Sequence, residues 1–141
     1  MGLAERRAIK IYQDEIYPAI KKRIDQAAGF AVTMDVQWEK IGGEGEANRY
    51  EQDEYFTNTY FTPLIDAFKE IAGDAMGKEA LKKSLKKVVI TYDPQTATAS
   101  NYRDGWPFEK GVLTINYQAG ANSNDHAEKV NALVTNLQAE L

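Results

Sequence analysis

Residues 30–38, FAVTMDVQW, set Phe30, Val32, Met34, Val36 and Trp38 on alternate positions, with Ala31, Thr33, Asp35 and Gln37 between them. A period of two gathers the five large side chains on one face of an extended strand and scatters them around a helix, so the stretch reads as a half-buried strand. What precedes it has a different period. With Ile9 as the zero of a wheel turning 100° per residue, Tyr12, Ile16, Ile20, Ile24 and Ala27 fall within about 60° of it. The spacing predicts one long helix over residues 3–28, bent at Pro18, which lacks a backbone donor and crowds the carbonyl of Asp14. Gly29 supplies the stop. A turn there folds the strand back along the helix, so the apolar row is expected to face the domain's own helices and the polar row to face water.

Beyond the polar, glycine-bearing connection GGEGE at residues 42–46, which reads as flexible, a second apolar arc appears. Phe56, Tyr60, Phe61, Leu64, Ile65, Phe68, Ile71 and Ala72 share about half a helical wheel, which places a helix from near residue 54 to Gly73, with a kink or a fresh start at Pro63. GKEALKKSLKK, residues 77–87, reads as a short basic helix anchored by Leu81 and Leu85. VVITYDP reads as a strand, TATASNY (96–102) as a weaker one, and GVLTINYQ (111–118) as a third. The last helix carries Ala127, Val130, Leu133, Val134, Leu137 and Leu141 as its stripe, with Ser123, Asn124 or Asp125 available as its cap.

The resulting order is α-β-α-α-β-β-β-α. Consecutive strands on short links favour antiparallel pairing, so the expected architecture is α+β: a two-layer sandwich with a mainly antiparallel sheet of about four strands and helices on one face. One domain over residues 1–141 is expected at this length. There is no cysteine, which excludes a disulfide, a thiolate zinc site and a cysteine nucleophile. No signal-like or membrane-spanning apolar run occurs, so a soluble, cytoplasmic protein is expected, with no membrane partner.

The net charge of -4 and a pI near 5.1 disfavour nucleic acid as a partner. Charge is segregated, however. Lys78, Lys82, Lys83, Lys86 and Lys87 face only Glu79 in residues 78–87, whereas Glu44, Glu46, Glu51, Asp53 and Glu54 face only Arg49 in residues 44–54. The basic block reads as a solvated helix face, since two leucines give weak membrane attachment and no aromatic interleaves the lysines.

Motifs for chemistry are sparse. GDAMGKEA, residues 73–80, fails as a phosphate loop because its glycine spacing is one short and Glu79 stands where Ser or Thr would meet magnesium. His126 is the single histidine, and DHAE at residues 125–128 presents no two ligands on one helical face, so it reads as polar helix-start chemistry. The acidic run lacks calcium-loop spacing. No metal and no cofactor are expected, and no catalytic residue is assigned.

Aromatics are the remaining signal: Tyr50, Tyr55, Phe56, Tyr60 and Phe61 lie beside the acidic run, and Tyr102, Trp106 and Phe108 form a second group. Most belong to a core. Those left exposed would have the composition of an interface, where Tyr and Trp anchor and charge forms the rim. The sequence therefore points to a non-enzymatic protein-binding module, inhibitor or immunity-like in general character, meeting a partner protein, basic in charge, through Glu51, Asp53, Glu54, Tyr55, Tyr102 and Trp106. The alternative is a small enzyme or ligand carrier with a tyrosine-lined pocket between sheet and helices, closed by the 42–54 loop. Homo-oligomerisation through the first strand as a sheet edge is a third expectation.

Overall fold

The computed structural model describes residues 1–141. Residues 3–28 run as one helical rod with a π turn inside it: α1 (Leu3–Ile11), the wide turn Tyr12–Ile16, and α2 (Tyr17–Ala28). The wide turn answers Pro18. Tyr17, just before the proline, donates to the carbonyl of Tyr12 five residues back, which opens the helix where the proline ring would otherwise strike a carbonyl. Gly29 closes the rod in the left-handed conformation. Asp25 secures the exit, accepting from the amide of Val32 at 2.9 Å while Lys21 pairs with its carboxylate at 2.7 Å.

The strand over residues 30–38 is real but shorter than its alternation suggests. β1 (Met34–Val36) pairs with its neighbour, and Gln37 then turns the chain into α3 (Trp38–Ile41). Val32 is buried, and Phe30, Met34, Val36 and Trp38 pack against the core. The apolar row thus faces inward, Trp38 by swinging its indole among Tyr12, Tyr17, Phe56 and Phe61.

A second π turn, Thr57–Phe61, precedes α4 (Thr62–Ile71) and repeats the device of the first. Here Thr62, the residue before Pro63, donates to the carbonyl of Thr57. α4 is the hub of the helical layer, burying Leu64, Ile65, Ala67, Phe68 and Ile71 against α2, the short basic helix α5 (Ala75–Ser84) and the last helix. Asp74 caps α5 by accepting from the amide of Gly77 at 2.7 Å. Leu81 and Leu85 are buried beneath its lysines.

The sheet corrects the expected topology. β2 (Lys87–Thr91) pairs in parallel with β1 and with β4 (Val112–Asn116); only the two-residue β3 (Phe108–Glu109) runs antiparallel, and the order is β1-β2-β4-β3. The sheet is mixed and mostly parallel. Antiparallel pairing was expected because residues 96–102 read as a middle strand on short links, but they form turns. Asp93 receives the amides of Thr96 and Ala97 on its carbonyl and that of Gln95 on its carboxylate, and Thr98 accepts from the amide of Asn101. With that strand gone, residues 92–111 become a crossover long enough to bring β4 back parallel to β2, carrying α6 (Tyr102–Gly105) and β3 on the way. A tight turn at Lys110 and Gly111, φ 52° and 83°, joins β3 to β4; a side chain at Gly111 would strike the carbonyl oxygen of Ser84 at 2.9 Å.

Burial alternates along β2 and β4. Val88, Ile90, Leu113 and Ile115 are buried under the helices, while Val89, Thr91, Val112 and Thr114 on the other face are only half-buried. The chain ends in α7 (His126–Glu140), whose inner stripe is Lys129, Ala132, Leu133, Val134 and Leu137. That stripe is rotated from the expected one: Ala127 and Leu141 are exposed, and a lysine lies inside. None of the helices is long and apolar enough to cross a membrane.

Candidate functional site

The aromatic side chains expected to anchor a partner are in the interior. Tyr55, Tyr102 and Trp106 are 3%, 4% and 1% exposed, so none projects from the surface as a ring a partner could close around, although Tyr55 and Tyr102 each border a concavity. Their polar atoms turn inward. Tyr55 accepts the amide of Gly43 at 3.0 Å, and Tyr102 donates to the carboxylate of Asp125 at 2.7 Å. Asp125 therefore stands at the start of α7 without capping it. Glu51, Asp53 and Glu54 are exposed and make no ion pair.

The rings form two clusters. One joins Tyr12, Tyr17, Trp38, Tyr50, Tyr55, Phe56, Tyr60 and Phe61; the other joins Tyr102, Trp106 and Tyr117. Burial raises the phenol pKa of Tyr12, Tyr17, Tyr50, Tyr55 and Tyr102, to about 12 at Tyr17 and further at Tyr12 and Tyr50, because the phenolate loses its water.

The first cluster supports the acidic loop, which is not the loose strap its composition suggests. Tyr50, fully buried, donates to the carbonyl of Gly43 at 2.8 Å, and Glu5 accepts the amide of Gly45 at 2.8 Å. That amide, first among its contacts, holds the Glu5 carboxyl below the usual carboxylate range. With the Tyr55 contact, three hydrogen bonds thereby fix the loop at Gly43 and Gly45.

Fixing the loop creates the largest concavity of the molecule, a cleft of about 460 Å³. It opens where the chain leaves the carboxyl ends of all three parallel strands. Lys40 and Ile41 follow β1, Tyr92 and Pro94 follow β2, and Gln118 and Ala119 follow β4. The acidic loop closes the remaining side with Gly43, Glu44, Glu46 and Arg49, over Tyr55. Open sheets with parallel strands bind ligands at this edge, because the connecting loops can vary there without disturbing the ladder. A second trough of about 320 Å³ continues from it, sharing Tyr92, Pro94 and Gln118.

Within the cleft Arg49 is held in place. Its guanidinium lies 5.2 Å from the centre of the Tyr55 ring and meets Glu46 at 3.2 Å. Gly120, at φ 76°, lies beside it, and a side chain there would come within 3.2 Å of the guanidinium. The Gly120 amide lies 3.0 Å from both the carbonyl of Tyr55 and the hydroxyl of Thr59, which ties the end of β4 to the loop. Of these residues the sequence marked only Tyr55 as a candidate. Lys40, Arg49, Tyr92 and Gln118 belong to separate segments, and only the parallel topology brings them together.

The second cluster holds a buried ammonium. Lys129 is fully buried, its Nζ lying 5.1 Å from the Tyr117 ring centre, 5.9 Å from that of Tyr102 and 3.3 Å from the carbonyl of Ala121. Desolvation pulls its pKa down to about 8 against an opposing pull from Asp125. Asn122, in the left-handed region at φ 48°, bridges above it, donating to the hydroxyl of Tyr117 at 2.6 Å and the carbonyl of Ala99 at 2.7 Å. The signal for a buried lysine was present: Lys129, Leu133 and Leu137 lie on one row of α7 at intervals of four.

His126 pairs with Asp66 at 2.7 Å across α7 and α4, both half-exposed and outside the cleft. No three His, Asp or Glu side chains converge as a metal-ligand group. No protein-family model matches the chain, and neither a curated protein nor a solved structure matches it.

Proposed function

We propose that the chain binds a small polar molecule in the cleft at the carboxyl edge of its parallel strands, as a carrier or a small enzyme. One observation carries this reading: the loops after β1, β2 and β4 and the pinned acidic loop all meet around one concavity of about 460 Å³. Pockets of about 300–1,000 Å³ suit metabolite-sized ligands. The lining offers charge of both signs, the amide of Gln118 and the Tyr92 ring, with Arg49 already oriented by Tyr55 and Glu46. The test is a melting-temperature screen against polar metabolites, repeated on a variant with Gln118→Leu and Tyr92→Ala. Ligands that raise the wild-type melting temperature and leave the variant unmoved support the reading; a screen without a single shift removes it.

A second reading is supported by the acids. Glu51, Asp53 and Glu54 are exposed and unpaired on a segment anchored at both ends by Tyr50 and Tyr55, so they form a rigid negative surface able to meet a basic protein. Here the contact would be charged, without the aromatic anchors. Wild-type protein would capture a partner that a variant reversed to Lys at all three positions loses, and that high salt releases; equal capture by both would end this reading.

A further inference from the structure

The cleft's charges set its ligand class more narrowly than its size does. Lys40 and Arg49 stand against Glu44 and Glu46 on the same lining. Lys40 and Glu44 are exposed and pair with nothing in the protein. Arg49 and Glu46 share one 3.2 Å contact, with 42% and 40% of their side chains exposed, so both keep free hydrogen-bonding capacity. The site therefore holds unmet charge of both signs within one metabolite-sized space.

Other ligand classes fit poorly. Lys40 and Arg49 could meet a phosphate, but the glycine turn offers it no amide of its own, having committed Gly42 to Trp38, Gly43 to Tyr55 and Gly45 to Glu5. Two carboxylates on the lining would also repel it. A lone cation would face Lys40 and Arg49, and a neutral apolar ligand would desolvate all four charges without replacing their water.

We infer that the cleft recognises a zwitterion of the amino-acid type, one ammonium and one carboxylate carried on the same carbon in a free amino acid; this rests on the cleft being a ligand site. The carboxylate meets the guanidinium fork of Arg49 and the ammonium of Lys40, since arginine presents planar paired donors to that group. The ammonium meets Glu44 and Glu46. The side chain of the ligand runs past Tyr92 and Pro94 into the adjoining trough, which gives room for a side chain or a second residue.

The experiment is titration calorimetry with the twenty free L-amino acids and a set of dipeptides, each beside its N-acetyl and its C-terminal amide form. A parallel set of nucleosides and neutral sugars is run on the same protein. At least one free zwitterion is expected to bind, with each blocked form weaker by about tenfold or more. Lys40→Met and Glu44→Gln should weaken it similarly while leaving the melting temperature alone, because both side chains are exposed and unpaired. Blocked forms binding as tightly as the free ligand, or no zwitterion binding at all, overturns the inference. Binding of a nucleoside or sugar alone would do so while sparing the cleft as a ligand site; silence from every set would remove both.

Discussion

The hydroxyls of Tyr12 and Thr57 lie 2.7 Å apart in the interior, and each residue opens one of the two π turns that precede Pro18 and Pro63. The two helices are thus joined where each is widened. Tyr12 is fully buried, so its hydroxyl has no water to turn to if the partner is lost. Thr57→Val is expected to cost about 1–3 kcal/mol, the cost of stranding a buried polar group, whereas Tyr12→Phe with Thr57→Val should cost less than the sum of the single changes. Urea denaturation of the four proteins measures the coupling. Additive losses would mean that the hydrogen bond contributes nothing to joining the rods.

Lys129 makes a prediction of opposite sign. Its folded pKa, about 8, lies below the ordinary 10.5, so between those values the unfolded chain binds more protons and stability rises with pH. The penalty is complete below about pH 8. Lys129→Met keeps the length of the side chain without the charge and is expected to stabilise the protein at pH 7 by on the order of 1–3 kcal/mol, net of the lost contacts to Tyr117, Tyr102 and Ala121. It should also flatten the rise between pH 8 and 10. Loss of stability at pH 7 would show that the aromatic cage outweighs desolvation.

Above pH 10 the tyrosines reverse the trend. Tyr12, Tyr17, Tyr50, Tyr60 and Tyr102 have raised pKa values, all with desolvation as the leading cause. A group whose folded pKa exceeds its unfolded value contributes stability that is whole below the unfolded pKa, here 10, and lost as pH climbs toward the folded one. Phenolate absorbance from these five should therefore appear together with loss of circular dichroism. Independent titration of all eight tyrosines near pH 10 in a chain that keeps its helices would contradict the buried clusters.

Local periodicity revealed the helical rods and the strands around Val88 and Leu113, because each residue's neighbours in sequence are its neighbours on the same face. Pairing direction was hidden. It hinges on residues 96–102, which read as a weak strand, but Asp93 and Asn116 gather the local polar groups into turns. The sequence offered the 42–54 loop as one wall of a pocket, but the other walls of the cleft were hidden for the same reason: Lys40, Tyr92 and Gln118 lie far apart in sequence and meet only because β1, β2 and β4 end on one side. The aromatic run beside the acids was visible, yet composition does not distinguish a ring that anchors a partner from one that holds a loop. Tyr50 and Tyr55 do the second, through Gly43.

Two glycines separate backbone strain from the shape of the cleft. Gly120 and Gly45 both have positive φ, 76° and 77°, so alanine at either is expected to cost roughly 1–2 kcal/mol for the left-handed conformation. Only Gly120 has neighbours to displace. A Cβ there would lie 3.2 Å from Arg49 Nη2 and 3.3 Å from the Tyr55 ring, whereas one at Gly45 meets nothing within 4 Å. In the wild type the Tyr55 ring beneath the guanidinium should shift the Arg49 side-chain NMR resonances upfield. Gly120→Ala is expected to abolish that shift and Gly45→Ala to keep it, with similar losses of stability in denaturant. If both variants keep the shift, Arg49 is held in the cleft by Tyr55 and Glu46 without help from the end of β4.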